Sequence, residues 1–138
     1  MEGSPLAFPD YKRFVKDSYL RNTKTFSSDQ LPFTIGVFSD QFFDLWRNKS
    51  TVDDVWGRSA GLGGPLSFCY VDGNHTYPAA KRDFENCDAF LEAGGFIVFD
   101  DSAWDEFGVR QLMPEIAATG RYKLIATNPN HLFQKISN

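Results

Sequence analysis

Cysteine is scarce. The 138 residues contain two, Cys69 and Cys87, with no Cys-x-x-Cys pair. Two cysteines cannot build a disulfide framework for a chain this long. The two histidines, His75 and His131, lie far apart, so a zinc site of Cys/His type is not expected. Clustered positive charge is also missing: 14 Lys/Arg face 18 Asp/Glu, for a net charge of −4. Phosphate affinity needs grouped cations, so nucleic acid is not an expected partner. No stretch approaches the ~18–20 apolar residues of a membrane span, and no membrane partner is expected. The opening MEGSPLAFPDYKRF lacks a basic start followed by an apolar run. No secretory leader is expected there, and the two thiols are expected to stay reduced in a cytoplasmic protein. Internal repeats and low-complexity tracts are absent.

What is present is apolar and aromatic. Hydrophobic residues make up 42% and aromatic residues 16%, with fourteen Phe. A chain of this size and composition closes one core and is expected to form a single domain over residues 1–138. Residues 9–22 (PDYKRFVKDSYLRN) predict a helix whose apolar face carries Tyr11, Phe14, Val15 and Tyr19. LPFTIGVF (31–38) predicts a strand. SDQFFDLWRN (39–48) predicts a helix capped by Ser39. Residues 49–65 are rich in Ser, Asp and Gly and predict a loop; GLGG there follows no strand and is not a dinucleotide fingerprint.

The second half is more strongly patterned. LSFCYV (66–71) predicts a strand buried on both faces. Residues 77–92 predict a helix with one stripe of Tyr77, Ala80, Phe84, Cys87 and Leu91, capped by Thr76 and ended by Gly94 or Gly95. Asp83 and Glu85 fall off the stripe and read as solvated. GFIVFD (95–100) predicts a second buried strand. Residues 106–119 place Val109, Leu112, Met113 and Ile116 on one helix face, with Pro114 expected to kink the helix or delay its start. YKLIAT (122–127) and HLFQKI (131–136) predict an antiparallel hairpin across Asn-Pro-Asn.

Strand, helix, strand, helix, strand, strand is the order of a mostly parallel α/β sheet finished by an antiparallel edge. Ligands in such sheets sit beyond the carboxyl ends of the strands. Two loops qualify, Asp72–Thr76 and Asp100–Trp104. Both open on carboxylates, and adjacent parallel strands bring them together. His75 in the first loop can exchange protons near neutral pH. Asn74 either positions a substrate or accepts a left-handed turn conformation. Cys69 and Cys87 read as buried apolar thiols on a strand and the following helix.

The stretch YVDGNHTYPAAKRDFENCDAFLEAGGFIVFDDSA, followed by GVRQLMPEI, resembles class I S-adenosylmethionine-dependent methyltransferases. It is similar to the branch with a DGxHxY turn, a helix, a Gly-Gly strand ending in Asp-Asp and a later GV-containing helix. The match is strongest over residues 66–136. The resemblance implies a Rossmann-like fold, mostly parallel, with the C-terminal antiparallel hairpin and without the first βαβ unit. The family's glycine-rich loop after its first strand and the ribose-binding acid after its second have no counterpart; Glu2 is at best a remnant. The family places those two strands between its third and fourth, so 31–38 and 66–71 are expected to pair directly or leave a gap. Val37 and Phe38 stand where a polar or acidic residue often approaches the adenine.

The same resemblance implies roles. Ser39, Asp72 and Gly73 would contact S-adenosylmethionine. His75 and Asp72 would serve catalysis, Asn74 and Trp104 would contact substrate. Asp72 with Asp100 and Asp101 would bind a divalent cation (Mg, Ca or Mn) that lowers the pKa of an acceptor hydroxyl. The acceptor would be an oxygen or nitrogen of a small molecule or glycan. Two alternatives stand beside this: a non-catalytic remnant that acts as a homodimer through its open sheet, and a metal-dependent α/β hydrolase using Asp72, Asp100 and His75.

Overall fold

The computed structural model describes residues 7–27 and 30–137. The elements are α1 (Phe8–Phe26), α2 (Ser39–Arg47), β1 (Thr51–Asp53), β2 (Ser59–Gly61), β3 (Leu66–Val71), α3 (Tyr77–Asp88), β4 (Leu91–Phe99), α4 (Val109–Ala118), β5 (Tyr122–Ala126) and β6 (His131–Lys135). Strands β3-β4-β6-β5 form one sheet, in that order. β3 and β4 are parallel, and β6 runs antiparallel to both β4 and β5. Three of the four strands thus point one way, as in a Rossmann-like sheet, but the antiparallel strand β6 lies inside the sheet between β4 and β5 and not at its edge as expected. One hydrophobic core cluster, built on this sheet, is found among the described residues. Glu2 lies outside them.

The registers divide the sheet into two faces. Cys69, Ile97, Phe133 and Leu124 form one cross-strand row. On that side Cys69, Ile97 and Phe133 meet α2, α3 and α4 in a core with Phe43, Phe84, Leu112 and Ile116. The intervening rows, Phe68–Phe96–Gln134–Lys123 and Tyr70–Val98–Leu132–Ala126, face the other way. There Phe68 is 56% and Tyr70 54% exposed. The strand at 66–71 is therefore buried on one face only, contrary to its apolar run. No helix among the described residues covers its second face.

Helix α3 follows from its pattern: Ala80, Phe84 and Cys87 are buried, and Pro78 sits in the first turn, where a missing N–H costs nothing. It ends at Asp88 rather than at the glycines. Leu91 already belongs to β4, and Gly94 and Gly95 lie within that strand, where the pairing with β3 shifts register. A side chain at Gly95 would meet Leu91 Cδ1 at 2.8 Å and Ser67 O at 3.0 Å. Helix α4 starts at Val109, three residues later than the pattern suggests, and carries Pro114 inside it. Its expected face, Val109, Leu112, Met113 and Ile116, is buried. Beneath the α3–β4 turn, Lys135 Nζ is 3.0 Å from Asp88 Oδ1, and bonds Asp88 O at 2.8 Å and Leu91 O at 2.9 Å. Arg121 grips both oxygens of Asp88 at 2.9 and 2.6 Å, and Tyr122 donates to it at 2.7 Å.

Residues 31–38 do not form a strand. They run extended beside the small β1–β2 hairpin, which occupies part of the stretch expected as loop. Arg58, paired with buried Asp54, donates to Leu31 O and Pro32 O at 2.9 Å; Val55 N–H bonds Thr34 O at 2.9 Å. A side chain satisfies the carbonyls that a ladder would have used. Ser39 is the first helical residue of α2, not its cap; Gln41 instead accepts the Phe38 N–H at 3.4 Å. Cys69 and Cys87 are buried free thiols, as read from the sequence.

Candidate functional site

β3 ends at Val71, and its chain turns through Asp72–Thr76 into α3. Asn74 Oδ1 accepts the Thr76 N–H at 3.0 Å, which shapes this turn. Asn74 takes no left-handed conformation; Asp101 does, with φ 53°. Next to it β4 ends at Phe99. Fully buried Ser102 donates to Phe99 O at 2.7 Å and accepts the His131 N–H at 2.8 Å, fixing the second loop to β6.

A cavity of about 810 Å³ lies along the free edge of β3, between that strand and helices α2 and α3. Its walls include Phe38, Phe42, Phe68 and Tyr70, and its polar groups Ser39, Asp40, Asp72, Asn74, Arg82 and Asp83. Ser39, Asp72, Gly73 and Asn74 were all expected at the cofactor or substrate, and this cavity brings them together. Gly73 matters sterically: a Cβ there would come 2.8 Å from Asp83 Oδ2. Asp83, read from the helical wheel as solvated, is half-buried and faces the cavity. Arg82 Nε stands 3.7 Å from Asp40 Oδ2, and Asn86 donates to Asp40 Oδ1 at 2.9 Å, linking α3 to α2 at the rim.

His75, Asp101 and Asp100 form a second cluster outside the cavity lining. His75 Nε2 is 3.2 Å from Asp101 Oδ2, and its ring packs on Phe107 at 4.6 Å between centroids. Nε2 is the ring nitrogen nearest that carboxylate, which leaves Nδ1 as the other nitrogen available to a proton. Asp100 Oδ1 accepts from the Tyr70 hydroxyl at 2.9 Å and from Asn130 Nδ2 at 2.6 Å. Tyr70 thus joins the two clusters, lining the cavity with its body and bonding Asp100 with its hydroxyl. Its pKa is raised, first by that hydrogen bond, then by burial and by the charges of Asp100, Asp72 and Asp101.

The three carboxylates proposed for a cation do not converge. Asp72 faces the cavity, Asp100 is held by Tyr70 and Asn130, and Asp101 is turned to His75. Among the described residues no three His, Cys, Asp or Glu side chains come together to hold a metal ion. Hard cations need several convergent oxygens, so the expectation of Mg, Ca or Mn is corrected, and the hydrolase alternative that depended on it loses its support. Trp104 is 58% exposed and does not line the cavity. Sequence reasoning passed over Tyr70, Asp40, Asp83 and Asn130. The only signal for Tyr70 was its place two residues before Asp72.

The volume and chemistry of the cavity suit S-adenosylmethionine in part. Pockets for ligands of that size span ≈300–1,000 Å³; aromatic walls match a purine, and carboxylates match a sulfonium and an ammonium. A glycine-rich loop opposite Asp72 is not found among the described residues. No helix among them is long and apolar enough to cross a membrane. A comparison with protein families matches residues 10–102 to a family described as a methyltransferase domain.

Proposed function

The chain belongs to this methyltransferase-domain family, whose members are class I S-adenosylmethionine-dependent enzymes, and we propose that it carries the acceptor side and part of the cofactor side of such a site. The observation behind this reading is the cavity along β3, which gathers Ser39, Asp72, Gly73 and Asn74 beside aromatic walls. S-adenosylmethionine supplies an electrophilic methyl group on a sulfonium when bound. Asp72, exposed at the cavity mouth, attracts that positive charge, and the Phe38 and Phe42 rings offer flat apolar surface. Gly73 keeps the wall thin where Asp83 closes it. His75, oriented by Asp101, accepts the proton of an oxygen or nitrogen nucleophile through Nδ1. Transfer needs little beyond alignment and that proton acceptor. The acceptor is a small molecule or glycan.

Because no glycine-rich loop that would cradle the methionine part faces Asp72 among the described residues, this chain alone is expected to bind S-adenosylmethionine weakly, with Kd of about 0.1–1 mM, or roughly −4 to −5.5 kcal/mol. Titration calorimetry checks both parts. The heat should saturate in that range, vanish in Asp72→Ala and persist in His75→Ala. Low-micromolar binding would overturn the weak-binding reading; binding indifferent to Asp72→Ala would overturn the location.

A further inference from the structure

Two apolar surfaces are left largely uncovered among the described residues. The first is the open face of the sheet. Phe68, Tyr70, Phe96, Val98 and Leu132 share it by register, and Phe68 and Tyr70 are more than half exposed. Parallel strands are ordinarily covered on both faces, most often by helices. The second is the stripe of α1. Tyr11, Phe14, Val15 and Tyr19 recur at helical spacing, yet they are 37%, 58%, 45% and 40% exposed. In its own chain α1 is held away from the sheet. Tyr19 bonds Thr34 at 2.7 Å and lies 6.5 Å from Trp56, Lys24 sits over Trp56, and Lys12 over Phe38.

We propose that α1 of one copy lies across the open sheet face of a second copy, and the reverse, in a two-fold dimer. Charge favours this pairing over face against face or helix against helix. α1 carries five Lys/Arg against two Asp, whereas the whole chain is net −4. The open face ends, around the Tyr70 hydroxyl, on Asp72, Asp100 and Asp101. A basic helix therefore meets an acidic rim, while like surfaces would repel. Size permits it. The 19 residues of α1 span about 28 Å, and a helix about 10 Å wide leaves a footprint of about 280 Å². Two reciprocal contacts, counted on both surfaces, bury about 1,100 Å², above the ≈1,000 Å² of a specific interface. A two-fold axis makes each copy donate one helix and accept one.

Light scattering on the purified chain should give about twice 15.6 kDa at concentrations near 100 µM. Phe14→Glu, on α1, and Phe68→Glu, on the sheet, should each yield a monomer with unchanged circular dichroism. A monomeric wild type overturns the proposal. So does a dimer that survives Phe14→Glu, which would join sheets, or one that survives Phe68→Glu, which would join helices. Should either variant unfold, Val15→Ser and Phe68→Ser, at positions 45% and 56% exposed, are measured in its place.

Discussion

Asp88 offers a quantitative test of the α3–β4 junction on which the site stands. Its carboxylate is 17% exposed and Lys135 only 5%. Burial alone would raise the Asp88 pKa; hydrogen bonds from Arg121, Tyr122 and Lys135 outweigh that and hold it at about 2, against 3.8 ordinarily. A depression of this size corresponds to about 2.5 kcal/mol favouring the folded, ionised form. That contribution is complete above the unfolded pKa, so it is present at pH 7. It fades as pH falls from about 4 through about 2. Asp88→Asn keeps the shape but leaves Lys135 buried without its counter-charge, for which losses of about 3–5 kcal/mol are typical. Urea unfolding should therefore show Asp88→Asn less stable by about 3 kcal/mol at pH 7, with the gap to wild type narrowing below pH 4. Lys135→Met in the Asp88→Asn background removes the stranded cation and should recover part of the loss. A loss under about 1 kcal/mol at pH 7, or a gap that stays constant down to pH 2, would refute this account of the junction.

Two further consequences follow from close contacts near the site. A Cβ at Gly108 would collide with the backbone N of Tyr77 and come 3.0 Å from Thr76 C, so Gly108→Ala must push the start of α4 off the start of α3. Overpacking of this kind costs about 1–3 kcal/mol, read as a lower urea midpoint with unchanged slope; no loss would show that the two helix starts separate freely. Ser102→Ala strips buried His131 of its partner at Nδ1, 3.1 Å away, and of the acceptor for its N–H, a loss of about 1–3 kcal/mol. His131 itself is held below its ordinary pKa by burial and then by Arg110. Its contribution is complete above the unfolded pKa and lost as pH falls through the 6.5 region, so His131→Gln should flatten the stability curve there. An unchanged curve would mean His131 is as free to protonate as in the unfolded chain.

The sequence was most legible where one pattern answers to one neighbour. Ala80, Phe84 and Cys87 belong to a stripe that meets the sheet, and the α4 face from Val109 to Ile116 behaves alike. It misled where burial depends on elements elsewhere. LSFCYV reads as doubly buried because its apolar run is continuous, yet burial of Phe68 and Tyr70 requires a second layer that a strand's own letters cannot report. LPFTIGVF has strand propensity, which is a preference for extended backbone more than for a ladder; Arg58 and Val55 took its carbonyls instead. Three-residue strands such as β1 and β2 are too short for any period to register.

The site divides along the same line. Ser39, Asp72, Gly73 and Asn74, expected together from the family resemblance, do line one cavity. The partition between Asp100 and Asp101 was not legible, because it turns on one backbone angle. Asp101 adopts φ 53°, and consecutive carboxylates then serve different partners, Asp100 turned to Tyr70 and Asn130, and Asp101 to His75. Asp-Asp by itself reads as a pair of ligands for one ion; with that turn Asp100 is held by Tyr70 and Asn130, and Asp101 stands beside His75, the arrangement on which the proposed role of His75 rests. The chemistry assigned to the pair shifts accordingly, from lowering an acceptor's pKa through a cation to accepting its proton at an imidazole. Asp101→Asn separates these: it removes the charge behind His75 while sparing the Asp100 contacts, so it should impair methyl transfer as severely as His75→Gln, and the double variant should lose no more than either alone.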